Sequence, residues 1–159
     1  MILVSACLLN QPVRYKGDGN PCQLLLEAVA KGHGKQLVAF CPEVAGGLST
    51  PRPPAEIQGG TGADVLQGTA SVMNKIGEDV TAAFIEGAQK CAELCKEKGI
   101  TVAILKQRSP SCGSKAIYDG SFCGKTIAGQ GVTAALLTSM GVKVYGEDDL
   151  TPDLLEKLL

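Results

Sequence analysis

Apolar residues gather in four short, nearly unbroken runs: Met1–Ala6, Gln36–Phe40, Thr101–Leu105 and Val142–Tyr145. Runs of that length without polar alternation suit strands buried on both faces, as in a parallel sheet. Between them the spacing becomes helical. Cys22–Lys31 follows Pro21, a favourable early helical residue, and meets Gly32 as a stop. Asp79 is placed to cap Val80–Lys98, which ends at Gly99. A third helix runs from about Val132 to Met140 before Gly141, and Thr151 or Asp153 opens a last one over Leu154–Leu158. Strands alternating with helices predict one α/β domain over residues 1–159. Its expected architecture is three-layer and Rossmann-like, with a mainly parallel sheet of at least four strands.

Two regions break the alternation. Val44–Ile76 is rich in Gly and Pro and too long for a plain connection, so it predicts a functional loop or an inserted hairpin. Ile117–Ile127 contains "YDGSF", whose Asp-Gly suits a tight hairpin turn.

Composition narrows the function class. The chain has 159 residues, enough for a core without disulfide staples, and carries 15 basic against 16 acidic residues. With no basic run and 4% aromatics, the charged groove and stacking platform of a nucleic-acid binder are missing. No apolar stretch approaches the roughly 20 residues that span a bilayer. "LVSAC", ending at Cys7, mimics a lipoprotein cleavage box, but nothing basic precedes it and the apolar segment is too short for a signal peptide. It reads as a first buried strand, and the protein is expected in the cytoplasm. Seven cysteines are then not a disulfide framework, and an odd count argues the same way.

The cysteines sort into two groups. Cys7 follows the first predicted strand, Cys41 the second, and Cys112 the third after a short loop. Ligands of an open parallel sheet bind beyond the carboxyl ends of its strands, so these three can converge on one rim. Cys91 and Cys95 instead continue the spacing of Phe84 and Ala88, the core-facing seam of an amphipathic helix. Cys22, at a helix start, and Cys123, in the hairpin, read as packing residues. His33, flanked by glycines, reads as a solvated turn. Three converging thiols leave several chemistries open. Structural zinc wants four ligands, a nucleophilic thiol wants a base, and a 4Fe-4S cluster held by three cysteines keeps one iron open for a substrate.

The segments "SACLLNQPVRYKG", "CPEVAGGLSTPRPPAE", "EDVTAAFIEGA", "ILKQRSPSCGS" and "GQGVTAALL" resemble, in order and over nearly the whole chain, the domain-of-unknown-function family that contains the thiouracil desulfidases. The resemblance implies a 4Fe-4S cluster on Cys7, Cys41 and Cys112, with the open iron taking the sulfur of a thiolated pyrimidine and water replacing that sulfur at carbon. It further implies Glu43 and Ser109 as the catalytic pair. The residue chemistry agrees, since Lewis-acidic iron makes sulfur a better leaving group, a carboxylate can take a proton from water, and a hydroxyl can donate one. Glu43 as an ordinary loop carboxylate and Ser109 as a turn or helix cap are the competing readings. Arg14, Tyr15 and Arg52 lie in matching segments and are candidates for substrate contact, with structural ion pairs the alternative for the arginines. Lys106 reads as solvated or paired with a carboxylate. "GQGVTAALL" reads as a helix entry, because it lacks the lysine and spacing of a phosphate loop.

The expected partner is thus a small thiolated molecule, with neither nucleic acid nor membrane. Two other classes stand beside the enzyme: a non-catalytic iron–sulfur or redox-sensing module, and a metal-free thiol enzyme of sulfur transfer.

Overall fold

Successive residues of the first strand face opposite layers, and this alternation organises the domain. The computed structural model describes the whole chain, residues 1–159. In order, the elements are β1 (Ile2–Ser5), α1 (Gln23–Ala30), β2 (Leu37–Phe40), α2 (Pro42–Ala45), β3 (Ala55–Gln58), α3 (Gly62–Gln67) and β4 (Ser71–Asn74). They continue with α4 (Thr81–Lys98), β5 (Val102–Leu105), β6 (Ala116–Tyr118), β7 (Thr126–Ala128), α5 (Val132–Ser139), β8 (Lys143–Gly146) and α6 (Pro152–Leu158).

Four strands form the central sheet in the order β2-β1-β5-β8, every pair parallel. Leu3, Ala103 and Leu105 point to the layer made by α4 and α5, where they meet Cys91, Cys95, Ala134 and Leu137. Ile2, Val4 and Ile104 point the other way, onto Leu25 and Ala28 of α1 and Leu155 of α6. Helices therefore cover both faces, which is why the strand sequences show no polar face. α4 starts one residue later than its spacing suggests, with Val80 rather than Asp79 at the cap position; Asp79 stands just before it, its Oδ1 accepting from the Thr81 amide at 2.9 Å. Thr151 opens α6, with Oγ1 accepting from the Leu154 amide at 3.1 Å.

The 44–76 region contains the inserted hairpin, β3 and β4 antiparallel, with α3 set into their connection. Phe84 of α4 is fully buried among Ile57, Val65 and Val72, and this cluster fastens the insertion to the domain. The second hairpin, β6 with β7, also forms, but not through a tight Asp-Gly turn. Its connection spans residues 119–125 because Glu56 of β3 draws it inward: Oε1 accepts from the amides of Gly120 (3.0 Å) and Phe122 (3.1 Å). Cys123, expected to pack, is exposed at that connection, where its thiol donates to the Ser121 carbonyl. Cys22 is half-buried against the α1 face. No helix is long and apolar enough to cross a membrane.

Candidate functional site

Cys7 lies in the turn directly after β1, Cys41 stands between β2 and α2, and Cys112 lies in the loop after β5. Parallel strands put these points on one edge. All three cysteines line a single cavity of about 440 Å³, as do Glu43, Ser109, Arg14, Tyr15 and Arg52. That volume is within the range of small-molecule sites, roughly 300–1,000 Å³.

Glycines set the loops at this edge. A Cβ on Gly87 of α4 would sit 1.9 Å from the Pro42 carbonyl oxygen, and one on Gly46 would sit 2.0 Å from that of Ala83. Backbone therefore meets backbone where α2 crosses α4, and this crossing fixes Cys41 and Glu43. The Cys112 loop is held from the other side. The first amides of α5 donate into it, Val132 to the Pro110 carbonyl (2.8 Å) and Thr133 to that of Ser111 (2.8 Å). Gly131 permits this approach, since a Cβ there would lie 2.6 Å from the Ser111 carbonyl carbon. "GQGVTAALL" is thus a helix entry whose amides are spent on the site loop rather than on an anion. Ser5 adds a third tie, its Oγ accepting from the Lys106 amide at 2.9 Å.

Burial dominates the electrostatics of the thiols. It pushes Cys7 up to about 11, with the neighbouring Cys41 thiol acting in the same direction. Cys112 is pushed up to about 12 by burial, against hydrogen bonds from Ser5 and Ser111. Cys41 is also raised by burial, and its thiol donates to the Val13 carbonyl at 3.9 Å. Buried thiols that influence one another across one cavity suit a soft, thiolate-binding metal group, whose charge would reverse these shifts. No three His, Cys, Asp or Glu side chains approach closely enough to hold a single metal ion. As soft sulfur donors, the three cysteines are chemically suited to an iron–sulfur cluster.

The carboxylate of Glu43 is held at both oxygens. Arg52 Nε donates to Oε1 at 3.2 Å, and the Ser111 hydroxyl donates to Oε2 at 2.9 Å. Ser109 Oγ lies 3.0 Å from Ser111 Oγ and accepts from the amides of Ser111 (3.2 Å) and Cys112 (3.1 Å). The rest of the Arg52 guanidinium is spent on Ser49, Thr50 and Val13, and only 6% of its side chain is exposed. Arg14 pairs with Asp18 at 3.5 Å and lies over the Tyr15 ring, 5.7 Å from its centroid. Lys106 is paired with Glu147, which also accepts from the Gln107 amide at 2.7 Å.

The family model for 2-thiouracil desulfurase matches residues 2–149. The chain belongs to the 2-thiouracil desulfurase family. It is 50% identical over 150 residues to the uncharacterized protein YbbK of Bacillus subtilis (strain 168), covering 94% of this chain and 97% of that protein. Among solved structures it is similar to the [4Fe-4S]-dependent thiouracil desulfidase TudS, at 48% identity and a TM-score of 0.83, over 99% of this chain and 96% of that one.

For this 2-thiouracil desulfurase family member, the physical purpose of the segments that carry the resemblance is now visible. "CPEVAGG" and "FIEGA" supply the α2–α4 crossing, and "GQG" supplies the clamp on "SPSC". Sequence reading missed Ser111, although it stands inside the quoted motif, because nothing local says that its hydroxyl reaches a carboxylate 68 positions away. Glu56 and Glu147 gave no signal at all, since their partners lie far along the chain.

Proposed function

We propose that this protein is a desulfidase that hydrolyses the C–S bond of a thiolated pyrimidine such as thiouracil, giving the oxo product and sulfide. The meeting of Cys7, Cys41 and Cys112 with Glu43 and Ser109 around one cavity supports this, in a chain so similar to a [4Fe-4S]-dependent thiouracil desulfidase. The three cysteines would hold a 4Fe-4S cluster with one open iron. Bound there, the cluster supplies Lewis acidity that makes sulfur a better leaving group. Exchange of sulfur for the oxygen of water is redox-neutral, so no electron donor is required.

The chain's own residues supply the proton chemistry. Glu43 takes a proton from the attacking water, its carboxylate held in one orientation by Arg52 and Ser111. Ser109 donates to the substrate, its oxygen fixed by two backbone amides. Tyr15 and Arg14 form the part of the wall offered to a planar ring. Arg52 serves Glu43 rather than the ring, since its donors are already occupied. All seven cysteines are free, in keeping with a reducing, cytoplasmic setting.

Anaerobic purification and reconstitution, followed by a screen of thiolated pyrimidines for sulfide release, tests this. The expected result is a brown protein with about four irons and stoichiometric conversion. Glu43→Ala should keep the iron and lose turnover by about 10²–10⁴-fold. Iron without turnover on any substrate would support the cluster-only module, and colourless active protein the metal-free thiol route.

A further inference from the structure

We infer that Ser111 is a positioning residue that joins Glu43 and Ser109 into one hydrogen-bonded proton path. The inference rests on the proposed desulfidase reading and assigns a residue that this reading does not require. Three distances carry it: Glu43 Oε2 to Ser111 Oγ at 2.9 Å, Ser111 Oγ to Ser109 Oγ at 3.0 Å, and Arg52 Nε to Glu43 Oε1 at 3.2 Å.

The directions follow from the donor inventory. An ionised carboxylate only accepts, so the Ser111 hydroxyl donates to Glu43. That uses its single proton, and toward Ser109 it can only accept. Ser109 Oγ already accepts from the Ser111 and Cys112 amides, so its remaining role toward Ser111 is to donate. The two amides also stabilise negative charge on that oxygen, which favours its giving up the proton. A further contact competes for the same hydroxyl: Cys112 Sγ lies 3.6 Å from Ser111 Oγ. It is longer than the oxygen contact and to a weaker acceptor.

The path balances. Water gives one proton to Glu43 as its oxygen bonds to carbon. Protonated Glu43 then donates to Ser111, so both hydroxyls turn and the chain runs the other way: Ser109 gives its proton to the substrate, Ser111 passes its own to Ser109, and Glu43 returns one to Ser111. Net, one proton moves from water to substrate and all three residues are restored. Ser111 is almost completely buried, at 1% exposed, so bulk water does not replace it in this chain. Acid and base are thus coupled within one loop-to-helix contact.

Ser111→Ala and Ser111→Thr, each reconstituted anaerobically, test the assignment against thiouracil. The expected alanine variant keeps its iron content and visible absorbance and its KM, and loses about a hundredfold in kcat. Its rate should depend linearly on the deuterium fraction of the solvent, where the parent enzyme gives a bowed curve from several protons in flight. Threonine should restore most of kcat. An unchanged kcat overturns the inference, and so does a raised KM alone. Loss of iron from Ser111→Ala also overturns it, because the hydroxyl would then be a brace for Cys112. If the parent protein desulfurates nothing, the proposed function fails, and the bridge is judged on metal-free crystals of Ser111→Ala. There the Glu43 carboxylate should swing away from Ser109; if it stays, the inference is overturned on that evidence alone.

Discussion

Cys112 and Cys91 lie in the same buried cluster, packed among Leu3, Leu105 and Leu137, yet they have different company. Cys91 sits on α4 one turn from Cys95, and its thiol is pushed up by a hydrogen bond with Cys95 and by burial. Cys112 faces the cavity, where its neighbours are Ser5, Ser111 and the thiols of Cys7 and Cys41. Burial alone therefore does not tell a thiol of the helix seam from one of the cavity wall. The polar groups and thiols gathered around the sulfur do, and these come from the carboxyl edge of the sheet rather than from the helix seam.

The sharpest way to break this comparison is to exchange the two kinds of cysteine for neutral residues. Cys112→Ser should abolish four-iron binding and all turnover, while Cys91→Ala and Cys95→Ala keep both and lose only about 1 kcal/mol of stability. Iron analysis and thermal melts read this out, and iron loss from either α4 variant would erase the distinction. A smaller effect should come from Gly87→Ala, which lies outside the proposed cluster-binding and proton-transfer residues. Forcing a Cβ against the Pro42 carbonyl should cost about 1–3 kcal/mol and reduce turnover by displacing Glu43. Unchanged activity there would mean that the α2–α4 crossing does not set the site. The smallest effect belongs to the exposed thiol. Cys123→Ser should alter stability by less than about 0.5 kcal/mol and leave iron content unchanged. In the cluster-free parent protein, a thiol reagent should label Cys123 before any other cysteine; prior labelling of Cys7 or Cys41 would show an edge more open than the structure has it.

Much of the fold was legible because its causes are local. Four apolar runs became the four parallel strands within a residue or so at each end, since strands buried on both faces must be apolar throughout. The α4 seam was equally plain, because i, i+3 and i+4 positions share a face whatever surrounds the helix. The "YDGSF" turn was misread as tight because the deciding partner, Glu56, lies 64 positions from Gly120.

The same divide separates what the chain alone determines about its site from what folding decides. Sequence by itself marked Cys7, Cys41 and Cys112, since each follows a predicted strand and parallel strands end on one edge. The family resemblance, rather than spacing, singled out Glu43 and Ser109, and their nearness to those cysteines limits how far either can stray. Only tertiary structure decided that Arg52 is turned onto Glu43, that Ser111 bridges Glu43 to Ser109, and that the α5 amides grip the Cys112 loop. Hydrogen bonds of that kind depend on directions and distances of a few tenths of an ångström between segments far apart in the chain. Spacing along the chain carries no such information until packing sets it.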